Sequence, residues 1–477
     1  MHKFPFPYEL IKKDTDILLF GAGDVGRQYL QSIEKTNYCK VKCVLDNGYR
    51  KFSDIKFPLE VNVVSPEFVS ECQNYSAVLI ATASPDLADK FKQQLLSLGV
   101  ESDKIVFAGD GEKIELAEDD GKETLRVAVM SLGGMGDDII SALLLKGIRE
   151  VVPKNLILDF YCKTHQLFAK LDFVNSVNHI SQFKNDNGYD VVLAGCNFFS
   201  IEKLALSKVK RFSEKLYMYL ADMLNIYENI LNFEDANSSS RLLKYCEILG
   251  KNRLEQHNIH GILPIDRNTK LQLDIDIDAQ NYLNGIGLKN EQFITICESS
   301  APNYNHDTRL WRPQNFLALC DMIIKDFPDK IIVWIGNDIT IDISNKHSNI
   351  LDLRGKTSLA ELSVLLKCSE LHIGLDTGPT HLRHFLCGKT SVCLFGSTST
   401  YAYEENVNIR SDKYPCSKRG CEWVSKKWLG GNCLIAPKED YALCMEAITP
   451  QEVYKCVYST LYWQADLDGR EFELQCP

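Results

Sequence analysis

Short apolar runs alternate with longer stretches of helical spacing along almost the whole chain. The first series opens at Ile17-Leu18-Leu19-Phe20 and returns at Val41 to Leu45 and at Ala77 to Ala81. A helical stretch ending near Gly99 then leads to Lys104-Ile105-Val106-Phe107. A second series places strand-like runs at Arg126 to Met130, Leu156 to Tyr161 and Val191-Val192-Leu193-Ala194. A third places them at Phe293-Ile294-Thr295-Ile296, Ile331 to Ile335, His372-Ile373-Gly374 and Val392-Cys393-Leu394-Phe395. Continuous apolar runs separated by helices are what parallel sheets covered on both faces require, so the pattern predicts an α/β fold. Between the first two series lies EKIELAEDDGKE, acidic and poor in large apolar residues, which reads as a linker ending near residue 122. Residues 199–290 read as mainly helical with a polar break at Asn237-Ser238-Ser239-Ser240, and 411–446 as irregular. The expected division is a Rossmann-like module with its linker at 1–121, α/β domains at 122–290 and 291–455, and a tail at 456–477.

Composition narrows the class. The chain has 477 residues and 45% apolar content, ample for several cores. With 53 Lys and Arg against 64 Asp and Glu, its net charge is −11, which argues against general binding to nucleic acid. No run approaches the roughly 18 apolar residues of a membrane span, and the first residues lack the apolar segment of a signal peptide. The 17 Cys residues then read as reduced thiols, and the expected location is cytoplasmic.

Several turns between strand and helix could carry chemistry. Gly21-x-Gly23-x-x-Gly26, with Asp46 twenty residues later, has the spacing of a nucleotide-binding turn: glycines admit a ligand to the helix start, and the acid takes ribose hydroxyls. Asp24, however, puts a negative charge in the loop, and the module ends too soon for a dehydrogenase's substrate half. A module without hydride chemistry is therefore expected, its ligand unknown. Ser131-Leu132-Gly133-Gly134-Met135-Gly136-Asp137-Asp138 precedes a helix; either acid would serve as a general base or simply cap that helix. Asp376-Thr377-Gly378-Pro379-Thr380-His381 offers hydroxyl and backbone donors to a phosphate, or forms an ordinary turn with Pro379 at the helix start. Arg309 in Arg309-Leu310-Trp311 would aim a guanidinium at a diphosphate or lie on the surface.

Taken in order, these pieces resemble glycosyltransferase family 9, the heptosyltransferase-like enzymes of the GT-B fold, over about residues 124–455. The resemblance rests on Met135-Gly136-Asp137, Arg309-Leu310-Trp311 and Gly336-Asn337-Asp338. It rests also on Leu353-Arg354-Gly355-Lys356-Thr357-Ser358-Leu359, Asp376 through Leu382, and Leu394-Phe395-Gly396-Ser397-Thr398. It implies a GT-B pair of Rossmann-like domains after the N-terminal Rossmann-like domain. It also implies an inverting transferase that moves a sugar, heptose from ADP-heptose, to a glycan or protein hydroxyl without a required cofactor. By position in the motifs, Asp137 falls on the family's catalytic base. Arg309 stands where a Lys usually holds the donor diphosphate, Asp338 where an acid binds the ribose, and Asp376, Thr377, Gly378 and His381 on the donor-binding loop. Arg383-His384 departs from the small apolar residues usual after that loop.

Cys416, Cys421, Cys433 and Cys444 are spaced loosely enough that two readings stand, a tetrathiolate iron or zinc site or reduced, partly buried thiols. Lys203, Lys208, Lys210, Arg211 and Lys215 read as a solvated helix face, with an acceptor-phosphate or membrane-surface patch as the sharper alternative. The expected partners are a nucleotide-sugar donor and a glycan or protein acceptor, with no nucleic acid; peripheral membrane contact and homo-oligomerisation stay open. The competing function is a non-catalytic nucleotide or nucleotide-sugar binding protein with a regulatory role.

Overall fold

The computed structural model describes residues 2–466 apart from 4–5, 8–9, 53–56, 110–111, 114, 185–187, 196–198, 227–244, 247, 274–276, 300–307, 338, 340, 344–347, 397–402, 404, 412–432, 434 and 437–438. The chain divides into two compact units. The first takes Met1–Glu118, Ile201–Leu206 and Leu220–Arg241; the second takes Asp119–Ser200, Ser207–Tyr219 and Leu242–Pro477.

In the first unit, β1 (Asp16–Phe20), β2 (Lys40–Leu45), β3 (Val63–Val64), β4 (Ala77–Ile80) and β5 (Ile105–Phe107) form one parallel sheet in the order β3-β2-β1-β4-β5. This is the doubly wound order, which leaves a crevice beyond the carboxyl ends of β1 and β4. Helix α1 (Asp24–Thr36) follows β1 and ends at Asn37, whose φ of 49° is the left-handed conformation that stops a helix. Helix α2 (Pro85–Ser97) starts on Ser84, whose hydroxyl accepts the Leu87 N–H at 3.3 Å, with Pro85 at its first position. Gly21 and Gly26 are required by the turn between β1 and α1. Gly21 has a φ of 120°, and a Cβ on it would meet the Ala81 carbonyl oxygen at 2.5 Å; one on Gly26 would lie 2.0 Å from the Gly21 carbonyl oxygen.

The second unit holds two more parallel sheets. Strands β6 (Leu125–Ser131), β7 (Leu156–Cys162), β8 (Ser176–His179) and β9 (Val191–Gly195) run in the order β8-β7-β6-β9, with α3 (Met135–Val151) leaving β6. Strands β10 (Phe293–Cys297), β11 (Ile331–Ile335), β12 (Ile350–Asp352), β13 (Leu371–Leu375), β14 (Ser391–Phe395) and β15 (Val407–Arg410) take the order β12-β11-β10-β13-β14-β15. This second sheet carries α4 (Pro313–Asp326), α5 (Leu359–Cys368), α6 (Gly378–Cys387) and α7 (Pro450–Asp466). Each predicted strand is present, its ends within a residue or so of the predicted ones. Every residue of β10, β13 and β14 is buried, as the unbroken apolar runs require. Thr295 is the polar exception in β10, and its hydroxyl lies 3.0 Å from His372 Nδ1 on the neighbouring β13.

Two stretches add to or differ from the sequence reading. The described residues of 199–290 hold helices at Leu206–Phe212, Glu214–Ile226 and Ala279–Gly285, and beside them a strand at Phe199–Leu204 and a buried 3-10 turn at Arg253–Asn258. The polar break at Asn237-Ser238-Ser239-Ser240 lies outside the described residues. The basic cluster is not a uniform solvated face, because Lys208 is 1% exposed and its ammonium lies 2.6 Å from Asp120 and 2.9 Å from Asp190. Burial lowers the Lys208 pKa, but these two carboxylates outweigh it and hold the pKa above its ordinary value. Arg211 likewise holds Asp119 through two 2.8 Å hydrogen bonds. The acidic segment is therefore tied down by the basic one, and the second unit begins within it, at Asp119. Arg383, the departure noted after His381, is fully buried and donates to the carbonyls of Leu366, Ser369 and Glu370, capping the end of α5. It is a packing residue of the fold.

These ion pairs generate a pH prediction. The Arg211 hydrogen bonds hold the Asp119 carboxyl down at about 2, and bonds from Lys122 and Lys208 lower that of Asp120. Depressed carboxyl pKa values contribute stability above the unfolded value of about 3.9 and lose it as pH falls through the folded value. Asp119→Asn with Asp120→Asn should melt below the parent at pH 7, and the gap should narrow from about pH 4 to about pH 2. A gap independent of pH in thermal melts would assign it to packing.

Candidate active site

The two glycine turns of the second unit meet. Helix α3 starts at Met135 on Gly134, and α6 starts at Gly378 on Thr377. A Cβ on Gly136 would lie 2.7 Å from Cδ2 of His381, and one on Gly378 would lie 2.6 Å from Cε of Met135. The absence of side chains at these positions lets the first turns of α3 and α6 approach at backbone distance. Helix starts present N–H groups without intrahelical partners and a partial positive charge, so two of them converging favour an anion.

Asp137 sits in the first turn of α3 and is partly buried. Its Oδ2 accepts the Gly134 N–H at 2.9 Å, and its Oδ1 lies 3.3 Å from Nη2 of Arg253. One oxygen thus fulfils the capping role weighed from the sequence, while the other faces a guanidinium. Asp138 points the other way: it is fully buried and accepts from the backbone N–H and hydroxyl of Thr164 at 2.9 and 2.7 Å. Burial raises the Asp138 carboxyl pKa, partly opposed by these bonds, and its role is to hold the loop after β7.

Across from Asp137, His381 is buried beneath the start of α3. Its Nδ1 is 2.6 Å from the Tyr403 hydroxyl, while its Nε2 is 3.8 Å from Oδ1 of Asp376, too long for a hydrogen bond. Burial pushes the imidazole down to about 4; Asp376 opposes the drop and Arg253 adds to it. At neutral pH His381 is therefore an uncharged ring against Gly136. Tyr403 is in turn stacked on His384 at 4.0 Å between ring centroids, and His384 pairs with Glu405.

Asp376 and Thr377 are buried at the end of β13, and the Arg309 guanidinium reaches the Asp376 carbonyl oxygen at 3.4 Å. Arg309 is thus half-buried beside the α6 turn rather than free on the surface. Its neighbour Trp311 belongs to the core, donating to the Ile448 carbonyl at 2.9 Å and packing edge-on against Phe316. The structure therefore brings Asp137, Arg309, Asp376, Thr377, Gly378 and His381 together around the starts of α3 and α6. Asp338 lies outside the described residues. Arg354, from the 353–359 motif, is a buried hub that pairs with Glu298 and Asp352 under the Trp334 ring, so that motif stabilises the domain.

Arg253 was not singled out from the sequence. It lies in the polar stretch that gave no clear pattern, yet it is 7% exposed and pairs with a residue 116 positions earlier. The only local signal is Asn252-x-x-Glu255, a capping box that starts its turn: Asn252 Oδ1 accepts from the Leu254 N–H at 2.9 Å.

Cys433 and Cys444 are both buried in the apolar cluster that includes Trp311, Met445 and Ile448. Cys416 and Cys421 lie outside the described residues. Among the described residues no group of three or more His, Cys, Asp or Glu is arranged to hold a metal ion. No helix among them is long and apolar enough to cross a membrane. In the N-terminal unit, Gly21, Gly23, Gly26 and Asp46 come together at the crevice beyond β1, where Asp46 accepts the Ala22 N–H at 2.8 Å and the Gly48 N–H at 2.6 Å.

The buried histidines give a measurable consequence. Burial lowers His257 and His372 to about 3 and His381 to about 4. Each binds a proton more readily when unfolded, at a pKa of about 6.5, so stability should fall as pH drops from about 6.5 toward 4. His381→Phe should flatten part of that slope. Proton NMR that finds the His381 ring titrating near 6.5 in the folded protein would contradict its burial.

Residues 244–426 match the family model of glycosyltransferase family 9 (heptosyltransferase). Lipopolysaccharide heptosyltransferase 1 of Campylobacter coli is 24% identical over 316 residues, covering 60% of this chain and 88% of that protein. Among solved structures, E. coli ADP-heptose lps heptosyltransferase II is 15% identical, covers 72% of this chain and all of its own, and has a TM-score of 0.45. The iron-containing dodecameric glycosyltransferase TibC of enterotoxigenic E. coli is 10% identical over 74% of this chain and 78% of its own, with a TM-score of 0.47. The chain carries a glycosyltransferase family 9 domain, in an α/β architecture of several parallel sheets, and is a glycosyltransferase.

Proposed function

We propose that the chain transfers a sugar, heptose from ADP-heptose, to a hydroxyl of a bacterial glycan or protein with inversion at the anomeric carbon. The observation that carries this is the meeting of the α3 and α6 starts, which gathers a carboxylate, a guanidinium and a phosphate-type turn in one place. Asp137 takes the proton from the acceptor hydroxyl while that oxygen attacks the anomeric carbon. The bond from that carbon to the diphosphate breaks, and the nucleoside diphosphate leaves with the electron pair. Arg309 and the N–H groups at the start of α6 stabilise the charge that develops on it, so the reading needs no metal in the chemical step. Arg253 is a positioning residue: its guanidinium holds one Asp137 oxygen from a buried turn, leaving lone pairs of the carboxylate for the acceptor. Iron or zinc on Cys416, Cys421, Cys433 and Cys444 would brace the segment between them.

Asp137→Asn should keep the Gly134 hydrogen bond and the melting temperature, yet lower kcat by about a hundredfold or more. Loss of stability in step with activity would make Asp137 a cap alone. Arg309→Ala should weaken donor affinity and leaving-group stabilisation together by about 2–4 kcal/mol, with Arg309→Lys recovering much of it. Arg253→Ala should lower kcat with little change in donor KM, and Arg253→Lys should restore part of it. Nucleotide-sugar binding without transfer to any acceptor in the parent protein would favour the non-catalytic alternative.

A further inference from the structure

The crevice of the N-terminal unit is a cleft of about 530 Å³, lined among others by Gly23, Asp24, Asp46, Thr82, Leu87 and Phe91. Its walls are fixed in advance. Asn47 and Gln94 exchange reciprocal side-chain amide hydrogen bonds at 3.0 and 2.9 Å, tying the loop after β2 to α2. Phe91 is stacked on Phe20 with ring centroids 4.3 Å apart and planes 11° apart, which holds its ring flat. Beside it Leu87 remains 39% exposed, although apolar. One wall is therefore apolar and partly wet, and the other ends in a carboxylate.

The three glycines of the turn do not have the same reason to be glycine. Gly21 and Gly26 are demanded by backbone contacts inside the fold. Gly23 is not: its φ of −74° and ψ of −163° suit any residue, and a Cβ on it would meet nothing within 4 Å. What a side chain there would occupy is the cleft. The Asp46 carboxylate accepts two N–H groups, from Ala22 and Gly48, and a carboxylate can accept about four hydrogen bonds, so it keeps capacity toward the cleft. Among the described residues the lining includes the carboxylates of Asp24 and Asp46 and no Lys or Arg. Such a cleft suits an uncharged group that is flat on one side and carries paired hydroxyls on the other, and it adds little for a phosphate.

We propose that this cleft is a second ligand site, holding a ribonucleoside by its base against Leu87 and Phe91 and by its ribose diol on Asp46. Gly23 leaves the room that the sugar needs, and the site shares no residue with the transferase cleft. Binding is governed by the nucleoside, so a free nucleoside and its 5′-diphosphate occupy it within about tenfold of each other.

The test is calorimetric titration of the full chain with adenosine, guanosine, cytidine and uridine, each beside its 5′-diphosphate and its 2′-deoxy form. The Arg309→Ala variant is carried in parallel to separate this site from the donor cleft. At least one ribonucleoside should bind both the parent and Arg309→Ala, and its 2′-deoxy form should bind at least tenfold more weakly. Gly23→Leu should lose tenfold or more while its circular dichroism and sugar transfer match the parent. Gly23→Asn, which suits the start of a helix, should do the same. If no ribonucleoside binds the parent, or if both Gly23 variants bind as tightly as the parent, the proposal is overturned. Failure of the transferase reading would appear separately, in the Asp137 variants.

Discussion

The second unit depends on a close approach that only missing side chains allow. The start of α3 and the start of α6 come together because Gly136 gives its space to the His381 ring and Gly378 gives its space to Met135. Any larger residue at Gly136 would have to displace a buried ring, not the end of a flexible chain. The residues of the candidate site are placed by that approach. Asp137 is one residue beyond Gly136, Thr377 one before Gly378, and Arg309 touches the carbonyl just upstream of Thr377. The helix dipoles then reinforce each other at a point where an anionic leaving group would form.

Burial decides the charge pattern around that point. His381 is kept neutral because the cost of desolvating an imidazolium exceeds what the Asp376 carboxylate returns. Asp138 is turned into a structural acceptor by its complete burial, whereas Asp137, its neighbour in sequence, keeps partial access to the cleft. Two adjacent acids on one helix turn thus take different tasks for reasons of environment alone.

Much of the fold was legible because its signals are local. The central strands of the last sheet are short runs whose residues are all buried, and each glycine turn lies between a short apolar run and a helix. The ion pairs were not legible. Lys208 with Asp120 and Asp190, Arg211 with Asp119, and Arg253 with Asp137 join residues far apart in sequence, so the pairing is invisible locally: Lys208 and Arg211 read as a solvated face, and Arg253 gave no signal of its own. Arg383 was visible as an oddity, yet its purpose depends on the carbonyls at the end of α5, which no local pattern identifies. The buried turn at Arg253–Asn258 was not legible for the same reason: it starts on a polar cap, and its Arg253 pairs with a residue 116 positions earlier.

The two contacts between α3 and α6 differ in stiffness. A histidine ring against a glycine backbone has nowhere to go, since the Tyr403 hydroxyl anchors its far edge. The Met135 thioether against Gly378 is unbranched and can re-pack through three torsions. A change in this contact would therefore be resisted at His381 and taken up at Met135. The same softness carries a chemical liability. Conversion of that thioether to the sulfoxide would put a polar, bulkier group where α3 and α6 must touch, so oxidation there would act on the packing of the two helix starts.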